Sequence, residues 1–181
     1  MKNFRHKVGK CGEDCVFLPP HEIGAIAFCQ KIGMHFVGKT QARMDAKGRL
    51  FLPAEYRRQL EDGERKFVLR SDANAPCLVL YPYATWRADV AEVLARLNRW
   101  VPEEAQVLRQ FMGDVEQVEL DGNGRILIPR RLQGMLGEDR NVCFVGLGDR
   151  LELWAAAEAE KPFMQPDDYA RTLQQIMSRQ P

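Results

Sequence analysis

The sequence has little histidine and no clear excess of either charge. All three histidines (His6, His21 and His35) lie at or before residue 35, so most of the chain has no imidazole that could act as a general base. Lysine and arginine together number 26 against 25 aspartates and glutamates, a net charge of +1. Because nucleic-acid-binding domains are usually basic overall, any such site here must be a local concentration of positive charge.

Long apolar runs are also missing. No segment approaches the roughly 18 residues that a membrane-spanning helix needs. Charges and prolines interrupt the N-terminal segment, which therefore does not match a secretory signal. We expect a cytoplasmic protein with no membrane partner. A hydrophobic fraction of 45% with 28% charged residues is typical of a globular chain.

The five cysteines do not form a complete metal-binding pattern. Cys11 and Cys15, with His21 nearby, allow an interpretation as part of a metal site, but no second pair follows at zinc-finger spacing. Cys77 and Cys143 lie in apolar, strand-like segments, where a free cysteine behaves as a small hydrophobic residue. We expect neither a metal nor another cofactor.

The most informative feature is an internal repeat. Residues 45–53 read Asp-Ala-Lys-Gly-Arg-Leu-Phe-Leu-Pro, and residues 121–129, 76 positions later, read Asp-Gly-Asn-Gly-Arg-Ile-Leu-Ile-Pro. The similarity continues after this core, since Leu60 and Leu136 keep the same offset. Two later pairs of apolar segments also align, 67–69 with 143–145 and, after a gap of three residues, 78–81 with 151–154. The chain is therefore predicted to contain two copies of one unit.

Each copy has a predictable local structure. Alternating apolar residues before the aspartate indicate a strand, and the glycine of each Gly-Arg pair supplies the left-handed conformation of a tight turn. A second short strand follows and ends at Pro53 or Pro129, each of which suits the first turn of a helix. These short helices are predicted over 54–60 and 130–136. Two further strands complete each copy.

Three amphipathic helices are predicted outside the repeated strands. The first covers about 83–98, the second begins at Pro102, and the third follows Pro166. Each has an apolar face that we expect to pack in the core or against another subunit. The residues of these faces are Trp86, Val90, Val93, Leu94 and Leu97, then Val107, Leu108 and Phe111, and finally Tyr169, Leu173 and Ile176.

A single copy of roughly fifty residues gains too little from apolar burial to offset its chain entropy. The copies must therefore pack together. We predict an α+β fold in which two pseudo-symmetric, β-rich repeats form a shared, barrel-like β core flanked by helices. The predicted organisation is an unmatched N-terminal extension (1–33), the first repeat (34–82), a helical connector (83–113), the second repeat (114–160) and a C-terminal helix (161–181).

The two Asp-x-x-x-Arg motifs, Asp45 to Arg49 and Asp121 to Arg125, are each followed by an apolar strand, a proline and a short helix. This pattern resembles the doubled AbrB-like (SpoVT/AbrB-like) unit of the MraZ family. The resemblance covers about 34–160 and includes the Leu-Tyr-Pro segment at 80–82 and the Leu-Trp pair at 153–154.

The resemblance implies a cytoplasmic, nucleoid-associated transcriptional regulator that forms ring-like homo-oligomers. It also implies binding to direct repeats in double-stranded DNA upstream of the division and cell-wall gene cluster that contains the regulator's own gene, and we expect a repressor. Residues 1–33 have no counterpart in the family. We expect them to be disordered, or to result from an upstream misassignment of the start codon with Met34 as the true start.

Arginine suits DNA recognition because its planar guanidinium bonds phosphate oxygens or the O6/N7 edge of guanine in pairs. Around the first motif four cations oppose Asp45 alone, a net charge of +3, whereas between 114 and 125 Arg125 opposes four carboxylates, a net charge of −3. We predict that the first copy carries the DNA surface, with Asp45, Asp121 and Arg125 supporting the motifs. The predicted DNA-binding residues are Lys39, Arg43, Lys47, Arg49 and Gly48, whose lack of a side chain would let the backbone approach the duplex.

Three alternatives accompany this prediction. Each Asp–Arg pair could be only a turn-stabilising salt bridge. The protein could be a ring-forming structural or protein-interaction module that does not bind DNA. An enzyme is not expected, because the repeated core has neither an imidazole nor a nucleophile with its base. The glycines at 122, 124, 134 and 137 also fit no phosphate-loop spacing.

Overall fold

The computed structural model describes residues 36–60 and 63–179. The predictions made for 1–33, including the interpretation of Cys11 and Cys15 as metal ligands, lie outside the described residues. Within the described part of the chain no helix has both the length and the apolarity to cross a membrane.

The elements follow the predicted order of the repeat. The first copy contains β1 (Phe36–Arg43), β2 (Arg49–Phe51), α1 (Ala54–Arg57), β3 (Lys66–Ser71) and β4 (Leu78–Pro82). Two helices connect the copies, α2 (Tyr83–Arg96) and α3 (Pro102–Gly113). The second copy contains β5 (Glu116–Glu119), β6 (Arg125–Leu127), α4 (Arg130–Gln133) with a 3-10 turn (Gly134–Leu136), β7 (Asn141–Gly148) and β8 (Leu151–Ala155), followed by α5 (Ala156–Ala159) and α6 (Pro166–Met177).

The two copies exchange strands. The main sheet has six antiparallel strands in the order β1-β7-β8-β4-β3-β5. The first strand of each copy pairs with the third strand of the other, as shown by Phe36 opposite Gly148 and Lys66 opposite Glu119. Strands β2 and β6 pair separately as a two-stranded ribbon, with Leu50 opposite Ile126. The predicted α+β fold with a shared β core is confirmed.

The sheet buries side chains on both faces. On the face that carries Phe144, the ring of Tyr56 lies 5.8 Å from that of Phe36 and 6.2 Å from that of Phe144, so α1 of the first copy contacts a strand of the second. The inward residues of the ribbon are fully buried. Helices cover the opposite face with two apolar clusters, one of Val68, Val79, Tyr81 and Trp86 and one of Cys77, Cys143, Val145, Trp154 and Ala159.

The pairing corrects one part of the sequence alignment. Phe67 lies opposite Val118, and Val142 lies opposite Ala42, the residue equivalent to Val118. Phe67 is therefore equivalent to Val142 and not to Cys143. The predicted alignment of the third strands was wrong by one residue, because the loop before β7 is one residue shorter than the loop before β3. A one-residue shift moves a strand side chain to the other face of the sheet, which is why Cys143 faces the helices.

Candidate nucleic-acid interface

The first Asp-x-x-x-Arg motif is a turn organised by one carboxylate. Asp45 Oδ1 accepts hydrogen bonds from the backbone N–H groups of Lys47 (2.8 Å) and Arg49 (2.9 Å). Its Oδ2 accepts one from Arg49 Nε at 2.7 Å. The backbone of the turn closes through Gly48 N–H to Asp45 O at 3.0 Å. The carboxylate thus fixes both the backbone of the turn and the direction of the arginine side chain.

The second motif repeats this geometry. Asp121 Oδ1 accepts from the backbone N–H groups of Asn123 (2.8 Å) and Arg125 (2.9 Å), and its Oδ2 accepts from Arg125 Nε (2.9 Å). The predicted supporting roles of Asp45, Asp121 and Arg125 match these contacts, so the Asp–Arg pairs do stabilise turns. The guanidinium nitrogens that do not contact the aspartate remain available for a second role.

The turn glycines mark the contact between the copies. Gly48 has φ +82° and is buried, and a Cβ on it would lie 3.0 Å from Gln133 Cδ and 3.2 Å from the carbonyl oxygen of Ile128. Its own carbonyl accepts from Ile128 N–H at 2.8 Å. Gly124 packs in the same way against Arg57 of the first copy. Gly48 thus faces the second copy on the side where a side chain would project, and its approach to DNA stays a prediction.

The two arginines differ in how much of the guanidinium is used internally. Arg125 also places Nη2 at 2.9 Å from Asp121 Oδ2, and its Cζ lies 5.6 Å from the ring centre of Phe51. Its side chain is 20% exposed, against 35% for Arg49. In the described chain Arg49 is held only through Nε, so both of its terminal nitrogens are free to donate.

The ribbon presents an outer face that the sequence analysis did not identify. Arg49 lies opposite Leu127, and Phe51 lies opposite Arg125. Phe51 is 54% exposed and Leu127 is 56% exposed. The alternation of the short strands contains this signal, because the residues between the buried Leu50, Leu52, Ile126 and Ile128 must point outward.

The structure does not bring all four predicted cations together. Lys39 Nζ donates to the carbonyl oxygen of Ala159 at 2.8 Å and lies 4.3 Å from the ring centre of Phe163. It therefore belongs to the packing of the C-terminal segment, about 13 Å along β1 from Arg43. Arg43 and Lys47 are exposed and have no side-chain partner in the described residues. These two cations and Arg49 remain as the candidate group.

The charge contrast between the copies is smaller in the fold than along the chain. Glu116 Oε1 forms an ion pair with Arg131 Nε at 2.6 Å, and Glu119 lies opposite Lys66 in the sheet. The strand exchange also brings Arg57 and Arg65 of the first copy next to the second turn. Much of the acidic charge around β5 is thus balanced inside the molecule. The terminal nitrogens that Arg49 leaves free in the described chain support a DNA surface at the first turn more strongly than the difference in net charge does.

The two turn carboxyls are strongly stabilised as anions. Hydrogen bonds from the backbone N–H and the guanidinium of Arg49 lower the pKa of Asp45 from 3.8 to about 2, although desolvation opposes them. The same kinds of contact, from Arg125 and Asn123, lower the pKa of Asp121. Each carboxyl group accepts these hydrogen bonds at full strength only when it is ionised. Both turns therefore depend on the ionised form.

This dependence predicts the acid stability of the turn. Because the folded-state pKa of Asp45 lies below 3.8, its ionisation stabilises the fold above about pH 4, and that contribution is lost as the pH falls toward 2. We expect Asp45→Asn to make the loss of unfolding free energy between pH 4 and pH 2 shallower, measured by denaturant titration at each pH. Asp167→Asn, on the exposed helix α6, is the control, and an equal change in both variants would contradict the prediction.

The remaining reactive groups have structural environments. Burial raises the pKa of the Cys77 thiol to about 12 and also raises that of Cys143, so both are protonated at neutral pH. The expectation that they act as small hydrophobic residues agrees with their place in an apolar cluster. Over residues 36–60 and 63–179 no group of three or more His, Cys, Asp or Glu side chains is placed to hold a metal ion.

Two β units that exchange strands and carry matching Asp–Arg turns define the class of this protein as a duplicated α+β fold with a shared sheet. Comparison with known families agrees, because the MraZ protein family matches residues 35–110 and again 111–172. The chain belongs to the MraZ family.

Several relatives share one name. A protein of Bacteroides fragilis called transcriptional regulator MraZ is 43% identical over 148 residues, which cover 81% of this chain and 94% of that protein. The protein of the same name from Phocaeicola vulgatus is 43% identical over 145 residues, 80% of this chain and 94% of its own length. That of Yersinia pestis is 37% identical over 120 residues, 66% of this chain and 78% of its own. These relatives support a role in transcription regulation.

Proposed function

We propose that this protein is a sequence-specific DNA-binding repressor that acts at direct repeats upstream of a division and cell-wall gene cluster including its own gene. The observation that carries the proposal is the state of Arg49. Its Nε is fixed by Asp45 at 2.7 Å, and its terminal nitrogens have no partner in the described chain. A guanidinium held in this way has little conformational freedom left to lose on binding. Its free edge can form paired hydrogen bonds with a guanine or a phosphate.

The neighbours of Arg49 extend this surface. Lys47 lies in the same turn, and Arg43 ends β1 just before it. Neither is used in an internal ion pair among the described residues. The side chains of Lys47 and Arg43 attract the phosphate backbone, and this attraction sets affinity and position. Arg49 is the candidate for reading bases.

Self-association would multiply the weak binding of one chain. Helix α6 has no buried residue in the described chain, and its apolar residues Tyr169, Leu173, Ile176 and Met177 are exposed. Trp100 and Val107 are exposed in and beside α3. Apolar surfaces of this kind support the homo-oligomeric ring, in which several subunits would bind repeated DNA sites at high effective concentration. A regulator of this kind acts in the cytoplasm, on the nucleoid.

The direct test is binding to the region upstream of the protein's own gene. We expect the full chain to shift a labelled duplex of this region but not a scrambled duplex of equal length. The logarithm of the binding constant should fall linearly with the logarithm of salt concentration, by about 0.9 for each neutralised phosphate. A reporter fused to the same region should be repressed when the protein is expressed. Failure to bind the upstream duplex at low salt would refute the proposal.

A protein-interaction module without DNA binding is the second candidate. The exposed Phe51 and Leu127, each of which lies opposite a motif arginine on the outer face of the ribbon, favour it. Aromatic and arginine side chains together are typical of protein interfaces. This candidate requires an oligomer that forms normally, measured by light scattering, and does not shift the upstream duplex.

A further inference from the structure

Arg140 of the second copy lies beside the first turn, although the sequence separates it from that turn by more than ninety residues. We propose that Arg140 completes the DNA surface of the first copy by binding a backbone phosphate. This inference rests on the proposed function and adds a contact from the other repeat.

The strand exchange places Arg140 there. Met44, the residue before Asp45, donates its backbone N–H to the carbonyl oxygen of Arg140 at 2.9 Å. The next residue, Asn141, lies opposite Arg43 in the β1–β7 register. Arg140 is therefore a direct neighbour of the segment that carries Arg43, and it is exposed. Its guanidinium has no hydrogen-bond or ion-pair partner among the described residues.

The backbone of Arg140 is in an unfavourable conformation. Its φ is +59°, and every other residue with positive φ in the described chain is a glycine. The turn is held by Asp139, whose carboxylate accepts hydrogen bonds from the backbone N–H (3.3 Å) and the side-chain amide (3.1 Å) of Asn141. Glycine or asparagine would adopt this conformation at lower cost. The backbone conformation therefore does not favour an arginine at this position.

An open cleft of about 310 Å³ adjoins this arginine. It lies between the end of β1 and the turn that follows α4, so it is formed by both copies. Arg140 and Glu138 are its charged lining residues, and Met44 is flanked in the chain by Arg43 and Asp45 of the first copy. Among the described residues, Arg140 is the one cationic side chain that lines this cleft. The residues that line the cleft are Met44, Gln133, Gly134, Gly137, Glu138 and Arg140.

The equivalent residue in the first copy is used differently. Leu120 N–H donates to the carbonyl oxygen of Arg65 at 2.8 Å, just as Met44 does to that of Arg140. The guanidinium of Arg65, however, donates to the carbonyl oxygen of Leu120 through Nε (3.2 Å) and Nη2 (3.1 Å). The Arg65 guanidinium is therefore used in a contact within the fold. The free arginine at this pseudo-symmetric position, like the freer motif arginine, lies at the first turn.

The pair supplies a matched test. Binding of the full chain to a labelled duplex from upstream of its own gene, and to a scrambled duplex, would be measured by fluorescence anisotropy over a series of chloride concentrations. We expect Arg140→Ala to weaken binding to both duplexes by a similar factor and to reduce the slope against salt by about 0.9 per engaged subunit. Arg65→Ala should leave the slope unchanged.

Arg140→Gly is a second variant that removes the charge without straining the backbone, because glycine readily adopts the positive φ. It should reproduce the slope of Arg140→Ala. Wild-type slopes in both Arg140 variants, with normal binding by the wild-type protein, would overturn the inference. A wild-type protein that binds neither duplex would instead refute the proposed function.

Discussion

Replacing Arg49 with alanine is expected to abolish specific DNA binding while leaving the fold intact. The variant should bind the upstream duplex no more tightly than a scrambled one, a loss of about a thousandfold or more, since specific binding exceeds non-specific binding by at least this factor. The reason is that Arg49 is the motif arginine whose terminal nitrogens have no partner among the described residues. Anisotropy titrations with both duplexes at one salt concentration measure the loss. Arg49→Lys should recover charge but little specificity, because an ammonium cannot donate in parallel pairs.

Arg125→Ala is the matched control for Arg49→Ala. Its guanidinium makes two contacts with Asp121 and lies over Phe51, so its removal should lower thermal stability more than DNA affinity. We expect its affinity for the upstream duplex to stay within about threefold of wild type, less than the cost of one mismatched base pair. Equal losses of specific binding by two variants that both fold and assemble normally would contradict the assignment of the DNA surface to the first turn.

The largest expected loss of stability comes from Gly146→Ala. Gly146 lies opposite Gly38 in the β1–β7 pairing, and a Cβ on it would lie 2.5 Å from the carbonyl oxygen of Phe36 and from the backbone nitrogen of Val37. Backbone atoms cannot turn aside as a side chain can, so β1 must move away from β7. We expect a loss of about 3 kcal/mol or more. The melting temperature should fall by roughly 6–12 °C, measured by calorimetry.

Gly122→Ala is the control for this substitution. A Cβ at Gly122 meets nothing within 4 Å, and the equivalent position of the first copy is already occupied by Ala46. The change in unfolding free energy should stay within about 0.5 kcal/mol. If Gly146→Ala were as mild as Gly122→Ala, the tight contact between the first strand of one copy and the third strand of the other would be wrong.

The local structure of the repeat was predictable because it depends on neighbouring residues. Asp45, Gly48 and Pro53 fix a turn and the start of a helix through contacts within a few positions, and the structure has both. The exchange of first strands was not predictable, since pairing of Phe36 with Gly148 leaves no local signal. The error in aligning Cys143 has the same origin, because only the partner strand shows which face a residue occupies.

The candidate site was predicted in part. The motif arginines and their carboxylates were found because the repeat places them in equivalent positions. Counting charge along the chain does not reveal that the Lys39 ammonium donates to Ala159, or that Arg140 of the other copy lies beside the first turn. Such neighbours depend on tertiary contacts, and a single sequence does not reveal them.

The strand exchange also has a consequence for how the protein is made. On the ribosome, β1 emerges early, but its partner β7 is translated only after the whole helical connector and β6. At ordinary translation rates this delay is on the order of ten seconds. Throughout it, Phe36 and the rest of β1 lack β7, their native partner strand in the described part of the chain. The nascent first half therefore cannot complete its sheet alone, and shielding of its open edges by a chaperone would have most effect in this interval.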